Sequence, residues 1–154
     1  MKKDIKRIKE ILATVKPLAA EYYRITGKPL GVTGEVAEYI VAQKLGLILV
    51  PPRTPGHDAT RKTPNGEERI QIKGRAFDRA SKRSQRIGSI KAGAACDKVI
   101  VALLDNTTLE PVGMWEARYD DVVTHLEKPG SRARNERGSM SVSAFKRIAQ
   151  PIWP

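Results

Sequence analysis

The sequence predicts a single α/β domain in which helices cover a sheet of short strands. Three observations support this. A chain of 154 residues is long enough for one real core and about the size of one domain. Aliphatic residues dominate its apolar fraction, with aromatics at only 5%. Apolar residues recur at helical spacing up to about residue 46, at strand spacing from there to about residue 117, and at helical spacing again near 120.

From Asp4 to about Arg24, Ile5, Ile8, Ile11, Leu12, Val15, Leu18 and Ala19 follow a helical period with Lys and Glu between them. Pro17 should kink or break this helix. Gly27, Pro29 and Gly31 mark a turn, and Thr33 suits the cap of a second helix over about Gly34 to Lys44. Its apolar face is Val36, Ala37, Ile40 and Val41, and Gly46 should end it. Leu47 to Val50 reads as a short strand, and Pro64-Asn65-Gly66 as a hairpin turn. The turn leads into Arg69-Ile70-Gln71-Ile72-Lys73-Gly74, whose polar/apolar alternation predicts a strand with one buried face.

Lys98 to Leu104 is a buried strand and Pro111 to Ala117 another; Asp120 to Lys128 returns to helical period. Residues 129–139 form a Gly-, Ser- and Arg-rich loop, and Ser141 to Ala149 a last short helix. No internal repeat or domain-sized linker interrupts residues 1–154, which read as one domain.

Lys and Arg number 28 against 17 Asp and Glu, a formal net charge of +11. Such an excess favours polyanionic partners, DNA, RNA or an anionic membrane surface, with nucleic acid first. No apolar run approaches the ~20 residues of a membrane span. The start, Met1-Lys2-Lys3-Asp4, lacks the apolar core of a signal peptide. The lone Cys96 has no partner for an internal disulfide and reads as a buried, inert thiol in a reducing cytoplasm. Cys/His zinc spacing is absent, and no Ser, His and acid set supports serine hydrolase chemistry.

Alternation puts Gln71 and Lys73 on one strand face, roughly 6–7 Å apart. With Asp58 upstream, these residues suit a divalent cation beside a phosphate. Mg²⁺ takes hard oxygen ligands and keeps several waters. Asp58 offers a carboxylate, Gln71 an amide oxygen and Ile72 a backbone carbonyl. Glu35, on the first turn of the second helix, is a further carboxylate. Protonated Lys73 cannot ligate; it suits orienting the attacking water or neutralising transition-state charge.

At these positions the chain resembles the PD-(D/E)XK, or restriction-endonuclease-like, nuclease superfamily. Gly34-Glu35-Val36-Ala37-Glu38 is similar to its helix element, Gly56-His57-Asp58 to its Asp element, and Gln71-Ile72-Lys73 to its (Glu/Asp/Gln)-x-Lys strand. The likeness covers roughly residues 33–104, after an N-terminal helix and turn over 1–30. His57 stands where the pattern has Pro, and Gln71 where an acid is commoner.

The resemblance implies a mixed central sheet flanked by helices and a Mg²⁺- or Mn²⁺-dependent endonuclease acting on DNA. It makes Glu35, Asp58, Gln71 and Lys73 the catalytic set. A homodimer would supply two active sites for cutting both strands. The alternative is a nucleic-acid-binding module on the same fold with weak or no catalysis, which Gln71 keeps open. Local roles also exist for single residues: a turn-forming Asp58, a Glu35 favoured by the helix dipole, and a His57 bonded within its turn.

Two basic segments should track phosphates. The first, 75–91, holds Arg75, Arg79, Lys82, Arg83, Arg86 and Lys91, and the second, 129–139, holds Arg132, Arg134 and Arg137. His125 is expected to be structural or exposed.

Overall fold

The computed structural model describes residues 2–81 and 85–154. Lys82 and Arg83, expected to contact phosphates, lie outside the described residues. The elements in chain order are α1 (Lys2–Thr26), α2 (Thr33–Leu45), β1 (Ile48–Leu49), β2 (Ala59–Thr63), β3 (Gly66–Phe77), β4 (Lys98–Asp105) and β5 (Pro111–Arg118). They continue with α3 (Tyr119–Glu127), α4 (Arg132–Asn135), α5 (Val142–Ile148) and β6 (Gln150–Trp153). The fold is mixed α/β, as expected.

The six strands form one sheet in the order β1-β2-β3-β4-β5-β6. Only β3 and β4 run parallel; the other four pairings are antiparallel. The parallel pair carries an unbroken register from Ile70↔Lys98 to Phe77↔Asp105. A parallel pair needs a long crossover, and residues 78–97 provide it. Its second half is laced to the chain before α5: Ile87 N–H bonds the Met140 carbonyl, Ile90 N–H that of Gly138, and Val142 N–H that of Gln85. The two basic segments therefore lie side by side.

Strand β4 is buried on both faces, so its apolar run serves two cores. Ile100, Ala102 and Leu104 join Ile70, Ile72 and the inward face of α2, with Val36, Ala37, Ile40 and Val41. Val99, Val101 and Leu103 join α3 and α5 through Val122, Leu126 and Phe145. A close approach fixes α2 on the sheet. A Cβ on Gly74 of β3 would fall 2.2 Å from the Ala37 Cβ, so only glycine lets the helix lie this near the strand.

Several local expectations are corrected. α1 runs through Pro17 unbroken. The prolyl nitrogen removes one helical bond, and Ala13, whose carbonyl loses that partner, is exposed to water. The N-cap of α2 is Val32, without a side-chain bond, and Thr33 is already helical; the Val36 N–H bonds the Val32 carbonyl at 3.0 Å.

Gly46 ends α2 as expected, in the left-handed region at φ 67°. The strand expected over 47–50 pairs only at Ile48 and Leu49. α4 and β6 were not foreseen; β6 is an edge strand, where Pro151 is tolerated. No helix among the described residues is long and apolar enough to cross a membrane.

Candidate active site

The site is built where β2 and β3 part. Their pairing runs to Ala59↔Ile70, and the Asp58 N–H still bonds the Ile70 carbonyl at 2.9 Å. One step further, the Asp58 side chain takes the place of a neighbouring strand: its Oδ2 accepts from the Ile72 N–H at 2.8 Å. In a strand, the N–H and C=O of one residue face the same edge, so the Ile72 carbonyl lies on the Asp58 side.

Gln71 and Lys73 alternate with the buried Ile70 and Ile72 and project from the opposite face, as predicted. Both line a cleft of about 630 Å³ with Pro55, Gly56, Ser89 and Lys91. The Gln71 Oε1 is buried and has no hydrogen-bond partner. A buried amide oxygen left unpaired costs stability, and such an atom calls for a water, an ion or a ligand.

Glu38 is a candidate that sequence reasoning left out of the site. Glu35 was chosen from the helix element, and Glu35 is exposed. Glu38 follows Ala37, the residue pressed on Gly74, and is only partly exposed. Burial, then the charges of Asp58 and Glu35, push its carboxyl from 4.5 to about 7, while Lys73 pulls it down. Glu38, Asp58, Glu35 and Lys73 thus share one electrostatic neighbourhood, with Glu38 among all three. The available signal was the spacing of three that puts both glutamates on one flank of α2.

Burial also raises the Asp58 carboxyl, against the lowering effects of the Ile72 N–H, Lys73 and His57. Two carboxyls with raised proton affinity, both coupled to Lys73, make a pair that a divalent cation would neutralise. Asp58 and Glu38 would be the carboxylates for such a cation, with the Ile72 carbonyl on the Asp58 edge of β3, while the Gln71 amide lines the cleft on the other face of the strand. The donor set is lean in charge: no group of three or more His, Cys, Asp or Glu able to hold a metal occurs among the described residues.

His57 has a buried Nδ1 without a hydrogen-bond partner, so the turn bond expected there is not made through that atom. Cys96 is buried, its Sγ bonding the Lys98 carbonyl at 3.0 Å, and burial pushes the thiol up, as an inert thiol requires.

The basic residues divide into anchored and open ones. Arg75 Nε donates to the Arg86 carbonyl, and Arg79 faces Asp105 at 3.6 Å. Arg86 holds Ser139 through its carbonyl at 2.6 Å and its Oγ at 3.2 Å. Arg134 Nη2 holds the carbonyls of Lys128 and Pro129, while its Nε is buried without a partner. Arg132 is exposed and faces Glu136 at 3.9 Å. Lys91 and Arg137 are exposed at the cleft mouth that continues from Lys73. Several arginines expected to grip phosphates therefore also hold the protein's own loops.

No protein-family model matches the chain, and no curated protein matches it. The functional reading therefore rests on its own residues.

Proposed function

We propose that the protein is a metal-dependent nuclease of the PD-(D/E)XK kind that hydrolyses phosphodiester bonds in DNA. The observation that carries this reading is the buried, unpartnered Gln71 Oε1, one residue from the peptide that Asp58 bonds, with Glu38 in the same electrostatic neighbourhood. Asp58, Glu38 and Gln71 would hold Mg²⁺ or Mn²⁺, with the Ile72 carbonyl in reach and Glu35 acting at longer range on Glu38. A divalent cation there supplies Lewis-acid polarisation of the phosphoryl oxygens.

The chain's own residues do the rest. Lys73 is a point charge at the cleft wall, suited to orienting the attacking water and neutralising charge on the transferring phosphoryl group. Lys91 and Arg137 supply sequence-independent affinity for the backbone. Cutting both strands symmetrically would take a homodimer, and the single reduced thiol fits a cytoplasmic setting.

The test is cleavage of plasmid and oligonucleotide with Mg²⁺ or Mn²⁺, comparing the wild type with Asp58→Ala and Lys73→Ala. Loss of product in both variants is the expected result; equal activity in all three preparations assigns the cutting to a contaminant. One observation favours a second reading, a binding module without catalysis: the donor set has an amide where a third carboxylate would strengthen metal binding. That reading expects salt-sensitive DNA binding that survives Lys73→Ala, with no product over long incubation.

A further inference from the structure

The cleft holding Gln71 and Lys73 does not end at Lys91. Ser89, Lys91 and Ala92 belong both to it and to a second cavity of about 930 Å³ between the crossover and α3–α4. The wall of this second cavity includes Ile90, Val123, Leu126 and Pro129, an apolar lining beyond the needs of a phosphate. Lys91, Arg134 and Arg137 supply its cations, against Glu127 and Glu136. Glu136 is offset by Arg132 at 3.9 Å.

The Arg134 guanidinium is held through Nη2 by two carbonyls, with Nε buried and unpartnered. A planar cation fixed in this way presents a face on which a base can stack. Burial, then the charges of Lys128, Arg134 and Arg147, lower the proton affinity of His125 on α3.

We propose that this second cavity binds unpaired nucleotides next to the cleavage site, so that the substrate is a single-stranded or locally opened nucleic acid strand rather than intact duplex. The inference rests on the nuclease reading and names its substrate class. Three features carry it. The two cavities share residues, so one strand entering at Lys73 continues into the second without leaving the surface. A concave site of this volume is on the scale of a small ligand, one or two nucleotides, whereas a stacked duplex offers no base to fill it. An apolar lining with cations suits a strand whose bases turn in and whose phosphates turn out.

Fluorescence anisotropy without divalent cation tests this, using a labelled single-stranded oligonucleotide and a blunt duplex of the same sequence at low salt. The single strand should bind roughly tenfold tighter. Ala92→Trp, at an exposed position shared by both cavities, should block the passage and remove that preference; Arg137→Ala should weaken single-strand binding at constant fold.

Equal or tighter binding of the duplex overturns the inference while leaving the nuclease intact, as does single-strand binding unchanged by Ala92→Trp. Binding of neither probe overturns both. A single-stranded RNA probe of the same sequence distinguishes the two sugar backbones: weaker binding than DNA supports the DNA reading, and tighter binding replaces DNA with RNA as substrate.

Discussion

The β2–β3 hairpin carries two clusters of charge that are solved in opposite ways. Near its turn, Arg61 donates to Glu68 at 2.7 and 3.0 Å and to Glu116 at 2.8 and 3.0 Å, so one guanidinium satisfies two carboxylates from two other strands. At the open end, Glu38 and Asp58 both have raised proton affinity, and the Gln71 amide oxygen has nothing to accept. The first cluster is complete without any ligand. The second leaves a buried amide oxygen unpaired and two carboxyls with raised proton affinity, which makes it the candidate binding site.

The difference can be broken by mutation. If the protein is the proposed nuclease, Lys73→Ala should cost about a hundredfold to ten-thousandfold in cleavage rate with little change in melting temperature, because on that reading only the open cluster takes part in chemistry. Single-turnover cleavage beside a thermal melt checks this. Gly74→Ala drives a methyl into Ala37 and should destabilise by about 1–3 kcal/mol, and it should also lower activity by shifting the helix that carries Glu38. Denaturant titration gives the first number and cleavage the second. Arg61→Ala leaves Glu68 and Glu116 facing each other and should cost about 1–2 kcal/mol, held down by partial exposure, while the cleavage rate per folded molecule stays the same.

The smallest effect is the most diagnostic. Folding raises Glu38 from 4.5 to about 7, so between these values the folded protein binds more protons than the unfolded one. Metal-free stability should therefore fall as pH rises through that window. Glu38→Gln should flatten this slope and stabilise the metal-free protein above pH ~7, although it removes a proposed ligand. Mn²⁺ should raise the melting temperature of the wild type more than that of Glu38→Gln, since only binding to the folded state stabilises it.

Much of this hairpin was legible in advance. Alternation from Arg69 to Gly74 placed Gln71 and Lys73 on one face, and Pro64-Asn65-Gly66 fixed the turn, because both signals are local. Glu38 was less legible. The apolar residues Val36, Ala37, Ile40 and Val41 set the inward face of α2, yet Glu35 and Glu38 both flank it. Which one meets Asp58 depends on how closely the helix sits on β3, a contact between Gly74 and Ala37 that are 37 positions apart. The pairing of β6 with β5 was hidden for a similar reason: four residues with a proline carry no periodicity of their own, and only a strand already in place gives them a partner.

Asp58 also closes a rung of the β ladder, since its Oδ2 receives the Ile72 N–H. One side chain thus completes the scaffold and carries a negative charge shared over both of its oxygens. An asparagine there can keep the rung through its amide oxygen while giving up the negative charge. On the proposed nuclease reading, Asp58→Asn is accordingly the substitution that should capture uncut substrate on an intact scaffold.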